Sequence, residues 1–142
     1  IDQEGITITP GEIRGIDITT QPFPGFPTDL QAPFMALLAT AQGTSVITEK
    51  IYENRMQHVA ELQRMGASIR VQSNTAVVEG VSALSGAPVN GTDLRASAAM
   101  VLAALVAKGK SQVSGLDHLD RGYADIEAKL GRAGAKLIRR TP

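Results

Sequence analysis

Apolar residues recur on one helix face in two segments of the chain, residues 29–42 and 93–108. Such a stripe predicts an amphipathic helix that packs its apolar side on a core. In the first segment the stripe consists of Leu30, Phe34, Leu37, Leu38 and Ala41. In the second it consists of Leu94, Ala98, Val101, Leu102 and Leu105. Two further helices are predicted over residues 55–65 and 122–133. A glycine suited to a left-handed C-cap follows each predicted helix: Gly43, Gly66, Gly109 and Gly134.

Short runs of β-forming residues alternate with these helices and predict strands. Between and after the helices they cover residues 44–48, 68–71, 75–80, 111–115 and 135–140. Before the first helix, residues 5–11 and 14–20 predict two more strands. The intervening "QSN" at residues 72–74 fits a hairpin turn. The chain is therefore predicted to be an α/β protein.

The order of the elements repeats once along the chain, and the residues repeat with it. "TDLQ…GTSVIT…NR…LQRMGASIRV" aligns with "TDLR…GKSQVS…DR…EAKLGRAGAKLIR", which pairs Asp29 with Asp93. One unit reads strand, strand, helix, strand, helix, strand, and the two units are predicted at about residues 1–72 and 73–142. Because two such units rarely bury all their hydrophobic faces alone, a third unit is expected outside this sequence.

Composition narrows the range of functions. With 43% hydrophobic residues in 142, the chain can form a real core. Its 14 basic and 14 acidic residues balance, which gives no reason to expect nucleic acid or an acidic membrane as a partner. The absence of cysteine excludes disulfides and thiolate chemistry within this chain. No apolar run reaches the roughly 18 residues that span a bilayer, and no signal peptide is visible, so a cytoplasmic location is expected.

Thr-Asp-Leu opens both predicted repeat helices, and its two aspartates are the first candidates for chemistry. In a structural interpretation, Thr28 or Thr92 caps the helix while Asp29 or Asp93 complements the helix dipole. In a functional interpretation, the carboxylate lies at a helix N-terminus beside bound anions and accepts a proton from a ligand hydroxyl. The two interpretations are compatible, and both stay open at this point.

Arginines stand at three predicted helix starts, where the helix dipole favours acids instead. They are Arg55, Arg95 and Arg121. Arg55 and Arg121 occupy equivalent positions in the two units, and an exception to the dipole preference at equivalent positions is a hint of function. The chemistry fits a binding role, because a guanidinium binds carboxylate or phosphate through paired hydrogen bonds. The alternative is structural ion pairs. His58 and His118 lack metal-ligand spacing; both are interpreted as structural or surface residues, and no metal site is predicted.

Three stretches of the chain run from "PGFPTDLQ" to "ELQRMGA", then through "SGAPVNGTDLRASAAM", then through "HLDRGYADIEAKLGRAGA". In content, order and spacing they resemble the enolpyruvyl transferase family, in the branch that uses UDP-N-acetylglucosamine. The resemblance covers nearly the whole chain and implies that residues 1–142 are part of the C-terminal portion of such an enzyme. It also implies the family's inside-out α/β barrel, whose domains each hold three βαβαββ units; about two of them are present here.

The resemblance implies an addition–elimination reaction that needs no metal or other cofactor. The enolpyruvyl group of phosphoenolpyruvate passes to the 3′-hydroxyl of UDP-N-acetylglucosamine and phosphate is released, which is the first committed step of peptidoglycan synthesis. In the family, the proton donor and several substrate contacts belong to the N-terminal part of the enzyme. That part is therefore the implied partner, and the isolated chain is expected to be inactive.

The resemblance assigns roles on both substrates. On the nucleotide-sugar side, Asp29 is the general base beside the sugar hydroxyl, Ile51 touches the nucleotide sugar, and Asp93 is a supporting carboxylate.

On the phosphoenolpyruvate side, Arg55 and Arg95 hold the carboxylate and Arg121 holds the phosphate. Phosphoenolpyruvate is strongly anionic near neutral pH, and arginine stays protonated there, so a set of arginines suits its capture. Two alternatives stay open: a sister enzyme that acts on a shikimate phosphate, and a non-catalytic, repeat-built binding domain in which both aspartates only cap helices.

Overall fold

The computed structural model describes residue 5, residues 7–9 and residues 11–140. Its strands are β1 Ile18–Thr19, β2 Thr44–Thr48, β3 Ser68–Gln72, β4 Thr75–Glu79, β5 Pro88–Asn90 and β6 Gln112–Ser114. A 3₁₀ turn at Thr28–Leu30 leads directly into the first α-helix. The helices are α1 Gln31–Leu38, α2 Val59–Arg64, α3 Leu94–Val106, α4 Leu116–Asp120 and α5 Ile126–Arg132. The architecture is mixed α/β, as the sequence predicted.

The larger sheet has four strands in the order β1-β2-β4-β3. β1 and β2 are parallel, whereas β4 is antiparallel to both of its neighbours. The predicted hairpin between β3 and β4 is present, and Ser73 in its turn has a φ of 54°. β5 and β6 form a separate parallel pair. In each parallel pair the connection runs through a long helix, α1 or α3, which is the usual crossover between parallel strands.

The centre of the core lies where α1 packs against α3. Met35 and Met100 are fully buried there, together with alanines of both helices. The predicted apolar stripes were wrong in part, because Leu37 is 43% exposed and Leu102 is 40% exposed. Small side chains on the facing surfaces let two helices approach closely. The alanine-rich faces are therefore buried, and these leucines lie on the flanks.

The second helix of each predicted unit begins later than the apolar pattern indicates. α2 starts at Val59 rather than at residue 55, and turns occupy residues 51–58. α5 starts at Ile126, and the short helix α4 before it was not predicted. The predicted glycine C-caps are confirmed for Gly66 and Gly134, which directly follow the C-cap residues of α2 and α5, but were wrong for Gly43 and Gly109, which lie beyond the ends of α1 and α3. Positive φ angles of 88° to 96° are found at all four: Gly43, Gly66, Gly109 and Gly134.

The predicted terminal strands are largely absent. Residues 135–140 form no strand, and Arg139 instead forms ion pairs with Asp120 and Glu127. The equivalent strand β3 pairs with β4, which follows it, and residues 135–140 find no such partner in the described part of the chain. Of residues 5–11, the described ones form no strand, and residues 6 and 10 lie outside the described residues. Residues 14–20 contain β1 and two isolated bridges.

Across the described residues, every helix is too short or too polar to cross a membrane.

Candidate functional site

Two arginines from different elements converge on one carboxylate oxygen of Asp29. Nε of Arg95, in the first turn of α3, donates to Oδ1 of Asp29 at 2.5 Å. Nη1 of Arg55, in the turns before α2, lies 3.4 Å from the same oxygen. The structure thus brings together three of the predicted site residues, which are far apart in the sequence. Asp29 remains accessible, with 62% of its side chain exposed.

The electrostatics of this cluster keep Asp29 ionised. The hydrogen bond from Arg95 is the main cause that lowers the pKa of Asp29, and the charge of Arg55 adds to it, while partial burial opposes both. The same hydrogen bond raises the pKa of Arg95. A carboxylate that is ionised at neutral pH is ready to accept a proton, although its bound guanidinium groups weaken it as a base.

Arg55 is held by two further contacts that do not involve Asp29. Its Nη1 donates to Oγ1 of Thr28 at 2.7 Å, and its guanidinium lies 4.1 Å from the ring centroid of Tyr52. Stacking of this kind and a charged hydrogen bond both favour a fixed orientation of the guanidinium group. Only 16% of the Arg55 side chain is exposed, so little freedom is left to it.

A buried carboxylate, Glu49, lies directly beneath this cluster. It is 2% exposed and accepts four hydrogen bonds. Its Oε1 accepts from the Thr20 hydroxyl at 2.7 Å and from the backbone N–H groups of Ile51 at 2.8 Å and Tyr52 at 3.0 Å. Its Oε2 accepts from the Thr28 hydroxyl at 2.9 Å. Glu49 therefore joins the strand end, the residue before Asp29 and the turn that carries Arg55.

The hydrogen bonds decide the ionisation of Glu49. Burial by itself would raise the pKa of this carboxyl, but the donors from Thr20, Ile51, Tyr52 and Thr28 together outweigh it and lower the pKa. Glu49 is thus a buried negative charge that is stable only because its donors are fixed. This arrangement satisfies the general requirement that buried charges be hydrogen-bonded.

The two Thr-Asp-Leu motifs differ in what their aspartates do. Asp93 is itself the N-cap of α3, and its Oδ1 accepts from the N–H groups of Arg95 at 2.7 Å and Ala96 at 3.1 Å. Asp29 caps nothing, because the 3₁₀ turn begins after Pro27 without a side-chain cap. The prediction that a threonine caps each helix was therefore wrong. A capping role holds only for the second motif, and there it belongs to the aspartate.

Replacement of Asp93 by alanine is expected to destabilise the protein by about 1 kcal/mol, because two donors of α3 lose their acceptor. Urea unfolding of the full-length protein measures this change. The matched control is Asp93→Ser, which keeps a capping oxygen and should recover most of the loss. Equal losses for alanine and serine would contradict the capping role.

The remaining predicted site residues lie at the margin of the cluster. Ile51 is 40% exposed, and its backbone N–H is held by Glu49. Arg121 was predicted at a helix start, but it is the C-cap residue of α4. It is exposed, and among the described residues it has no ion pair. Its neighbour Gly122 lies against Leu94, where an added Cβ would come within 2.9 Å of Cδ1, so Arg121 is near the N-terminus of α3.

The role of Glu49 was missed, although the sequence contained a signal for it. Side chains of a strand alternate between its two faces, and β2 buries Ser45 and Ile47. Position 49 continues that buried face, so an acid there has to be paired. His58 was interpreted correctly as structural: it is 3% exposed, and its Nε2 lies 3.2 Å from Sδ of Met35.

Nothing in the described ranges resembles a metal centre, since no three His, Asp or Glu side chains come close enough to hold an ion together.

Known proteins resemble this chain over nearly its whole length. A sequence profile of the family described as EPSP synthase (3-phosphoshikimate 1-carboxyvinyltransferase) matches residues 2–130. Relatives named UDP-N-acetylglucosamine 1-carboxyvinyltransferase include one from Prochlorococcus marinus (strain MIT 9313), 72% identical over 142 residues, which are 100% of this chain. Another, from Parasynechococcus marenigrum (strain WH8102), is 75% identical over 139 residues, or 98% of this chain. The chain spans about a third of these relatives, 33% and 32% of their lengths.

Solved structures give the same picture of the fold. The enolpyruvyl transferase NikO from Streptomyces tendae superposes with a TM-score of 0.83 and 31% identity, over 92% of this chain and 30% of that one. An EPSP synthase from Acinetobacter baumannii superposes with a TM-score of 0.53 over 61% of this chain and 22% of that one, and at 20% identity it bears on the fold alone. These likenesses confirm the predicted fold class.

Proposed function

The chain belongs to the EPSP synthase family of carboxyvinyltransferases, and on that basis we propose that it forms one wall of the active site of an enolpyruvyl transferase. The proposed reaction transfers the enolpyruvyl group of phosphoenolpyruvate to the 3′-hydroxyl of UDP-N-acetylglucosamine and releases phosphate. The acceptor and the transferred group follow the name of the relatives that are 57–75% identical, and phosphoenolpyruvate as the donor follows from the resemblance to the enolpyruvyl transferase family. The setting is peptidoglycan synthesis in the cytoplasm.

The observation that carries the proposal is the convergence of Arg55 and Arg95 on Oδ1 of Asp29. Two fixed cations around one anionic oxygen form a receptor for a carboxylate. The carboxylate of phosphoenolpyruvate has the same chemistry as that of Asp29 and would compete for the same donors. The exposed guanidinium of Arg121, near the start of α3, is proposed to bind the phosphate of the same substrate.

Competition for the arginines connects substrate binding to the basicity of Asp29. When phosphoenolpyruvate draws Arg55 and Arg95 to itself, Asp29 loses the hydrogen bonds that lower its pKa. Asp29 then becomes the stronger base that deprotonation of a sugar hydroxyl requires. In the proposed site, Asp29 therefore becomes a strong base only when phosphoenolpyruvate is bound.

The addition step forms the bond between the sugar oxygen and C2 of phosphoenolpyruvate. Asp29 takes the hydroxyl proton, and a donor outside this chain delivers a proton to C3. In the elimination step the bond from C2 to the phosphate oxygen breaks, C3 loses a proton, and the double bond returns. Positioning of the two substrates and fixed positive charge supply the catalysis, with Ile51 and Asp93 proposed as supporting contacts.

The remaining features of the proposal concern the rest of the enzyme. The N-terminal part of the same polypeptide is the proposed partner that completes the cleft, so the isolated chain is expected to be inactive. The repeat units at about residues 1–72 and 73–142, with a third unit elsewhere in the enzyme, stay a prediction. The proposed reaction uses neither a metal nor an organic cofactor.

The choice of acceptor substrate is tested with the full-length enzyme that carries this chain. Phosphate release from phosphoenolpyruvate should require UDP-N-acetylglucosamine, and shikimate 3-phosphate should not replace it. Turnover of phosphoenolpyruvate with shikimate 3-phosphate but not with UDP-N-acetylglucosamine would assign the chain to the sister activity. Failure of both acceptors in an enzyme that binds phosphoenolpyruvate would overturn the proposed function.

Replacement of Arg95 by alanine in the full-length enzyme is expected to raise KM for phosphoenolpyruvate about ten- to a hundredfold. A hydrogen bond to a charged group contributes about 1.5–3 kcal/mol, which corresponds to that range. KM for UDP-N-acetylglucosamine should change much less. The control is Arg70→Ala, because Arg70 also pairs with a carboxylate at 2.5 Å, that of Glu79, but on the β3–β4 hairpin. Equal increases in both KM values would contradict the assignment.

A further inference from the structure

We infer that Glu49 is a positioning residue that orients Arg55 for its ligand, although it touches no substrate itself. The inference rests on the proposed function of Arg55 and extends it to a residue that no sequence motif indicates. Both contacts that fix Arg55 independently of Asp29, the Thr28 hydroxyl and the Tyr52 ring, lead back to the same buried carboxylate.

The first route runs through the hydroxyl of Thr28. A hydroxyl has one proton to donate and lone pairs to accept with. Because Thr28 donates its proton to Oε2 of Glu49 at 2.9 Å, only lone pairs point toward Nη1 of Arg55, which donates at 2.7 Å. The ionised state of Glu49 thus sets the direction of the whole chain of hydrogen bonds. A donor in place of Oε2 would turn the Thr28 proton toward the guanidinium.

The second route runs through the backbone of the turn after β2. The N–H groups of Ile51 and Tyr52 both donate to Oε1 of Glu49. This fixes the backbone of Tyr52, whose ring lies 4.1 Å from the guanidinium carbon of Arg55. It also fixes Ile51, the residue proposed to touch the nucleotide sugar. One carboxylate therefore connects the predicted contacts of both substrates.

Glu49 is itself held rigidly enough to serve as a reference point. Its backbone N–H donates to the carbonyl of Asn74 at 2.8 Å, and Nδ2 of Asn74 donates back to its carbonyl at 2.9 Å. Thr20, which is fully buried, donates to its Oε1. The side chain is thus fixed from the β-sheet below, and the groups above it take their orientation from the sheet.

Glu49→Gln separates the two routes within one side chain. The amide oxygen can replace Oε1 and keep the donors from Thr20, Ile51 and Tyr52, whereas the amide NH₂ faces Thr28 and reverses that hydrogen bond. In the full-length enzyme we expect KM for phosphoenolpyruvate to rise about tenfold, as for loss of one hydrogen bond to a charged group. The value of kcat should change less than KM, and the melting temperature should be recorded for each variant.

Thr28→Val provides a second variant that leaves Glu49 in place, in case Glu49→Gln does not fold. It removes the acceptor of Arg55 and should raise the same KM by a similar factor, while Thr28→Ser should restore it. Both variants break the route through the Thr28 hydroxyl, so if that route acts on Arg55 the effects of Glu49→Gln and Thr28→Val are not additive in the double variant. Fully additive effects would overturn the inference.

A matched control lies on the β3–β4 hairpin, where Glu79 accepts from the hydroxyl of Ser68 at 3.1 Å and pairs with Arg70. Glu79→Gln should leave KM for phosphoenolpyruvate unchanged.

Arg55→Ala distinguishes the proposed function of Arg55 from the positioning role of Glu49. If Arg55→Ala leaves this KM unchanged, the proposed function of Arg55 fails. If Arg55→Ala raises it but Glu49→Gln and Thr28→Val do not, only the positioning role is wrong.

Discussion

Replacement of Asp29 by asparagine in the full-length enzyme is expected to lower kcat about a thousandfold, the middle of the range for loss of a general base. KM for phosphoenolpyruvate should not rise, because Arg55 and Arg95 lose the carboxylate that competes with the substrate for them. Steady-state kinetics with each substrate varied in turn measures both quantities. A large fall in kcat without weaker binding of phosphoenolpyruvate is the signature of a base rather than of a binding residue.

Stability provides the check that Asp29→Asn acts on chemistry. Asp29 caps no helix and its side chain is 62% exposed; exposed ion pairs of this kind contribute only about 0–1 kcal/mol. Unfolding should therefore be nearly unchanged. Glu79→Gln, which neutralises a carboxylate with an equally short arginine contact on the β3–β4 hairpin, should keep full activity. Normal turnover of Asp29→Asn would favour the non-catalytic alternative instead.

Acidification from pH 7 to pH 5 is expected to cost the folded protein about 2 kcal/mol through His58 alone. Burial lowers the pKa of His58 to about 4 from an ordinary 6.5, and the charge of Asp93 opposes this only in part. Between these two values the unfolded chain binds the proton and the folded chain does not. Stability is therefore greatest above pH 6.5, falls as the pH drops, and levels off below about pH 4.

The cause of this pH dependence is local. His58 is 3% exposed, Nε2 faces the weakly accepting Sδ of Met35, and the residue stands at the N-cap of α2, where a positive charge is unfavourable. Urea unfolding of the full-length enzyme at pH 7, 6 and 5 measures the loss. A His58→Leu variant should lose about 2 kcal/mol less over that interval. An unchanged pH slope in that variant would exclude His58 as the cause.

The hydrophobic pattern placed the two long helices correctly but misjudged part of the side that each of them buries. Leu37 and Leu102 belong to the predicted stripes and remain about two-fifths exposed. Periodicity measures where apolar residues cluster, whereas burial depends on which face lets two helices approach. Between α1 and α3, the face that allows close approach is the alanine-rich one. Alanine contributes little to a hydrophobic stripe, so the sequence pattern does not reveal this face.

The strand at residues 135–140 failed for a related reason. Its composition resembles that of β3, yet β3 exists because β4 pairs with it along five residues. A strand's hydrogen bonds lie with its neighbour, so composition alone does not produce one.

The sequence by itself determined the fold class, two of the four glycine C-caps and the β3–β4 hairpin, and it named the candidate site residues. These rest on local backbone preferences, on short-range periodicity and on motifs that survive in order along the chain. Only the tertiary structure decided that Asp93 caps α3 while Asp29 meets Arg95 from 66 residues away. It also showed that Glu49 holds the elements around Arg55 together. The two aspartates share a local motif, but their roles differ. The packing of α1 on α3 gives Asp29 a partner that is distant in sequence, and no local pattern contains that information.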